Sequence, residues 1–96
     1  MRITRVANYQ ALSALAADIV IKEVQKKPDL LFCAATGGSP TGMYAEMQKE
    51  KDAFNQMRVI KMDEWGIIPS HHPDSCESYL QKHLLGPLNI PAERYV

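Results

Sequence analysis

The chain has 96 residues, 46% of them hydrophobic and 23% charged, with 11 basic side chains balanced by 11 acidic ones. This is the composition of an ordinary globular protein, and the length allows one domain at most. Zero net charge and the absence of a basic stripe argue against a nucleic-acid binder, and no apolar run approaches the length that spans a bilayer.

Met1 to Val6 lacks the apolar core of a secretory leader. The two cysteines, Cys33 and Cys76, form neither a disulfide framework nor a Cys-x-x-Cys pair. They read as reduced thiols of a cytoplasmic protein, with Cys33 a small core residue.

Arg2 to Val6 alternates polar and apolar residues, the pattern of a short edge strand. Asn8 is placed to cap the longest helix. Within it Leu12, Leu15, Ala16, Ile19, Val20 and Val24 recur at three- and four-residue steps and predict one apolar face. Lys26 and Lys27 suit the negative end of that helix, and Pro28 stops it. Leu30 to Ala35 is apolar without alternation, which predicts a strand buried on both faces, as in a parallel sheet.

Thr36-Gly37-Gly38-Ser39-Pro40-Thr41-Gly42 follows directly. Adjacent glycines let the backbone turn sharply, and their amides can converge on one object as an anion-binding nest. Ser39 reads as an N-cap and Pro40 as the first helical residue, so the positive end of the next helix lies beside the nest and suits a phosphate. A turn that needs glycine only for its shape accounts for the same residues equally well. The loop lacks the Gly-Lys-Ser/Thr of a P-loop and the three-glycine spacing of a dinucleotide fingerprint, so a small phosphorylated metabolite fits better than a nucleotide. In the helix that follows, Met43, Tyr44 and Met47 are the inward positions.

Arg58 to Met62 predicts a second strand. Strand, helix and strand within about thirty residues make a βαβ unit with parallel strands. The loop at Gly37-Gly38 and the Asp63-Glu64-Trp65 triplet then open toward one crevice, where open α/β sheets bind ligands. Adjacent strand residues point oppositely, so one of the two carboxylates faces that crevice, placed for proton abstraction; capping of the following loop by both is the alternative. Trp65 is expected to pack the loop against the sheet. His71, His72 and Asp74 invite a metal, but adjacent loop histidines seldom reach one ion and no partner stands at zinc-like spacing, so none is expected. One histidine lining the crevice mouth fits better.

Asp74 or Ser75 caps a third helix, with Asp74 and Glu77 at capping-box spacing. Tyr79, Leu80, Leu84 and Leu85 form its apolar face, and Gly86-Pro87 ends it. Two strands leave an unpaired sheet edge, so Asn89 to Val96 reads as the approach to another strand.

Taken together, the run from Ala35 to Tyr44, Met62-Asp63-Glu64-Trp65-Gly66, and His72-Pro73-Asp74-Ser75 resemble, in this order, the glucosamine-6-phosphate deaminase/isomerase family. Asp63 to Gly66 with Ser75 to Leu80 is most similar to its galactosamine-6-phosphate branch. The related 6-phosphogluconolactonases share the Gly-Gly-Ser loop but carry arginine where this chain has Trp65. The resemblance implies a parallel-sheet, modified doubly wound (Rossmann-like) three-layer α/β domain, of which residues 1–96 are the amino-terminal part. It implies conversion of an amino-sugar 6-phosphate to a ketose 6-phosphate plus ammonia, without metal or cofactor. The expected partner is a small-molecule sugar phosphate, not nucleic acid or membrane, and a homo-oligomer is left open. By resemblance Asp63 is the catalytic base that moves a proton between C2 and C1 of the opened sugar. Thr36, Gly37, Gly38 and Ser39 bind the phosphate or nearby sugar oxygens, and Glu64 and His72 are further pocket candidates. The family's ring-opening and phosphate-clamping second half has no counterpart in these residues, so they are not expected to catalyse alone. A 6-phosphogluconolactonase and a non-catalytic sugar-phosphate sensor are the alternative readings.

Overall fold

The computed structural model describes residues 1–96. Asn8 is extended and its side chain accepts the Ala11 N–H at 2.9 Å, opening helix α1 (Tyr9–Lys26). Strand β1 (Leu31–Ala34) leads into helix α2 (Gly38–Met47), which tightens into a 3₁₀ stretch (Gln48–Phe54) kinked at Glu50. Strand β2 (Arg58–Lys61) returns parallel to β1, with Leu31 opposite Arg58 and Ala34 opposite Lys61. Helix α3 (Cys76–Leu80) runs on as a π turn (Gln81–Leu85). On the other side of β2, Tyr95 bridges to Val59 in parallel and the Val96 N–H donates to the Val59 carbonyl at 2.8 Å. The tail therefore meets the sheet as its sequence predicts.

The core forms where α2 and α3 cover one face of the sheet. Ala34 and Val59 on the strands meet Tyr44, Met47, Leu80 and Leu84, all buried, and Phe32 stands edge-on to Tyr44 at 6.3 Å between ring centres. Each of the Val, Met and Leu side chains removed from water contributes about 1.5–3 kcal/mol. The opposite face differs from expectation. Leu31 and Cys33 are exposed, so β1 is buried on one face only and Cys33 is a surface thiol rather than a core residue. The reason is the position of α1, which packs on α2 and leaves that face open. A second helical layer is not formed by these residues.

Two further expectations change. Residues 1–6 form no strand; the segment lies instead beside α1. In α1 the inward positions are Ser13, Ala17, Val20, Ile21 and Val24, while Leu12 and Ile19 are exposed. The helix carries two apolar stripes, and the one with small residues wins because it lets α1 approach α2 closely. Gly42 marks the crossing: a Cβ there would overlap Ser13 Oγ and lie 2.8 Å from the Tyr9 ring.

Candidate active site

The parallel register places the carboxyl ends of β1 and β2 at one edge, so residues 35–39 and 62–65 emerge side by side. Gly37 takes φ 110°, a conformation that favours glycine, and is itself the N-cap of α2. Ser39 is thus inside the helix, not its cap, and Pro40 sits two residues deeper than expected, still within the first turn, where a missing N–H costs nothing. The loop is held from behind by two tyrosines from different helices. The Tyr79 hydroxyl donates to the Gly37 carbonyl at 2.7 Å, a carbonyl that also accepts from Thr41 Oγ1 at 2.8 Å. The Tyr9 hydroxyl donates to the Gly38 carbonyl at 2.7 Å and accepts the Gly42 N–H at 2.8 Å. In a trans peptide the C=O and the following N–H point oppositely. Holding these two carbonyls therefore turns the Gly38 and Ser39 amides away from the tyrosines. Those amides have no side-chain cap and the residues are exposed, so the donors are open to an anion.

Across the edge, Asp63 and Glu64 part company. Asp63 is exposed, and its Oδ1 meets the Cys76 thiol at 4.0 Å. Cys76 is only 7% exposed, and its sulfur in turn accepts from Thr36 Oγ1 at 3.6 Å. The thiol thus ties the Asp63 turn to the glycine loop, a link invisible in sequence because Cys76 belongs to neither motif. Glu64 turns inward. Its carboxylate accepts the backbone N–H groups of Cys76 (2.7 Å), Glu77 (2.8 Å) and Trp65 (2.9 Å), and pairs with Lys61 Nζ at 3.1 Å. Burial opposes its charge, but those amides and the ammonium outweigh it and hold its carboxyl at about 2. Lys61 also reaches Glu77 at 3.4 Å, and Tyr95 donates to Glu77 at 2.6 Å.

No family model matches the chain. Glucosamine-6-phosphate deaminase of Geobacillus sp. (strain WCH70) is 32% identical over 95 residues, 95% of this chain and 38% of that protein. The protein of the same name from Clostridium botulinum (strain Loch Maree / Type A3) is 35% identical over 94 residues, 94% of this chain and 38% of its own. A solved structure of a monomeric glucosamine-6-phosphate deaminase of the NagB superfamily superposes with a TM-score of 0.90 at 25% identity, over 100% of this chain and 42% of its own. The chain is similar to part of a glucosamine-6-phosphate deaminase. It spans about two fifths of the length of the deaminases it matches.

Set beside that likeness, the predicted site residues divide. Thr36, Gly37, Gly38, Ser39 and Asp63 gather at one edge of the sheet, with Cys76 between Thr36 and Asp63. Glu64 does not line a pocket; it clamps the start of α3, where Ser75 is the cap, its side chain accepting the Ser78 N–H. Asp74 and Glu77 make no capping box, because Glu64 takes the Glu77 amide, His72 takes that of Asp74, and the Glu77 side chain faces Lys61 and Tyr95. His72 is half-buried, and its Nδ1 accepts the Asp74 N–H at 3.0 Å, which shapes the turn before α3. His83 packs on Tyr79 with ring centres 4.5 Å apart and planes tilted by 41°. Trp65 does not pack against the sheet: it is 62% exposed. The site edge is open. A shallow cavity of about 620 Å³ lies elsewhere, between the amino-terminal segment and α1, bordered by Arg2, Thr4, Leu15 and Ile19. Tyr9, Tyr79 and Cys76 were not legible as site residues; their apolar-face and helix-start positions gave no signal of the loop they contact.

Proposed function

We propose that residues 1–96 are the amino-terminal part of an amino-sugar 6-phosphate deaminase/isomerase acting on glucosamine 6-phosphate or galactosamine 6-phosphate. The observation that carries the reading is the Thr36–Cys76–Asp63 link, which joins an open carboxylate to an anion-ready glycine loop at one sheet edge. The deaminases it resembles supply the chemistry. In this reading Gly38 and Ser39 amides, with Gly37 and Thr36 shaping the loop, hold the phosphate or nearby sugar oxygens. Asp63 takes the C2 proton of the open-chain aldehyde form and returns it to C1, giving a ketimine. Water adds to the ketimine carbon and ammonia leaves, so one water is consumed per ketose 6-phosphate formed. Asp63 suits this work because the sulfur contact is its single side-chain tie and the rest of its carboxylate is open. The two thiols, unpaired, fit a reaction in the cytoplasm.

The test is ammonia release from each amino-sugar phosphate by the full-length gene product. Asp63→Asn is expected to lower kcat by at least about 100-fold while the protein remains folded. Release that survives in Asp63→Asn would refute the assignment, and release from neither sugar by the native protein would replace it with the lactonase or sensor reading.

A further inference from the structure

We infer that Glu64 is the positioning residue for the Asp63 base, a role that rests on the deaminase reading. Glu64 is the immediate neighbour of Asp63, yet it does the opposite task. Its two carboxylate oxygens collect four hydrogens from three places: the amide of its own turn at Trp65, the amides of Cys76 and Glu77 at the start of α3, and the Lys61 ammonium at the end of β2. Asp63 lies between Lys61 and Glu64 in the chain, so the bonded pair closes a four-residue turn with Asp63 outward on it. The same carboxylate fixes Cys76, whose thiol is the side-chain group that meets Asp63. Both the backbone beneath the base and the side chain beside it are therefore referred to one anchor. Lys61 adds a further tie through Glu77 to Tyr95, where the tail joins β2.

Positioning of this kind acts on the chemical step. A reacting group displaced by about 1 Å can lose about 100-fold in rate, whereas the Gly37 and Gly38 carbonyls that orient the phosphate-facing amides are held by Tyr79 and Tyr9, not by Glu64. Glu64→Gln keeps the shape but replaces one acceptor oxygen by an NH₂ that faces an amide or an ammonium. The expected result, per folded molecule of full-length protein, is a kcat lower by about 10- to 100-fold with KM within about twofold. With substrate deuterated at C2, the kinetic isotope effect on kcat is expected to rise above that of the native protein, because proton transfer becomes the slow step. A loss of folded protein alone would not change the isotope effect. Glu64→Asp, which keeps the charge one methylene further back, is expected to fall between the two and decides the question if Glu64→Gln does not fold. Native kcat and isotope effect in the variant would overturn the inference while leaving the deaminase reading standing. An inactive native protein would remove both.

Discussion

Gly42 tests the packing that holds the glycine loop. In Gly42→Ala the new Cβ overlaps Ser13 Oγ and stands 2.8 Å from Tyr9 Cε2 and 2.9 Å from the Tyr9 hydroxyl. Carbon atoms in contact prefer about 3.5–4.0 Å, so α1 must withdraw from α2 by about 1 Å. Overpacking of this kind costs about 1–3 kcal/mol. Withdrawal also strains two Tyr9 hydrogen bonds, to Gly42 N–H and the Gly38 carbonyl, worth about 1 kcal/mol each. Against this, alanine gains about 1 kcal/mol over glycine in helix propensity. The expected net destabilisation is about 2–4 kcal/mol, read as a lower urea midpoint at unchanged m-value by far-UV circular dichroism. Ser13 supplies the control. Its Oγ is buried without a hydrogen-bond partner, so Ser13→Ala alone is expected to be neutral or stabilising. Combined with Gly42→Ala it makes room for the new methyl, and at least about 1 kcal/mol of the loss should return beyond additivity. Gly42→Ala at native stability, or no recovery in the double variant, would refute the reasoning.

Two other consequences follow from the same contacts. In Tyr79→Phe the ring keeps its place against Tyr44 and His83, but the Gly37 carbonyl loses a donor; KM for the sugar phosphate should rise about three- to tenfold with kcat little changed, and an unchanged KM would count against a positioned loop. Glu64 is depressed from 4.5 to about 2, so the stability it contributes is fully present above its ordinary value and is lost as pH falls from about 4.5 toward 2. An acid titration of Glu64→Gln should accordingly lose less stability across that window than the native protein does.

The βαβ unit was legible because its signals are local and redundant: an apolar run, paired glycines, a helical pattern and a second apolar run in one short span. That unit alone fixes which chain segments share an edge, so Thr36 to Ser39 and Asp63 could be placed together without knowing any side-chain contact. What escaped was decided by competition between distant parts. Both stripes of α1 are apolar, and the close fit of Ser13 and Tyr9 against Gly42 chooses between them. The spacing of Asp74 and Glu77 is that of a capping box, yet Glu64, thirteen residues before Glu77, takes the Glu77 amide and His72 takes that of Asp74. Leu31 and Cys33 look like core from composition, but burial of a strand's second face depends on a layer that no residue of the strand specifies.

The Asp63-Glu64 pair shows why two adjacent carboxylates at a strand end need not share a task. Beyond the end of β2 at Lys61 the turn sends the two side chains apart, and the one that turns inward, Glu64, meets the amides at the start of α3. Those amides favour the charged form strongly, which makes Glu64 a poor proton acceptor and a good anchor. Asp63 is left outward with a single weak sulfur contact. Interchanging the two residues would put the shorter side chain inward, where it falls one methylene short of the Cys76 and Glu77 amides, and the longer, freer one outward. The order Asp then Glu thus matches reach to role: the long side chain spans to α3, and the short one stays where the backbone places it.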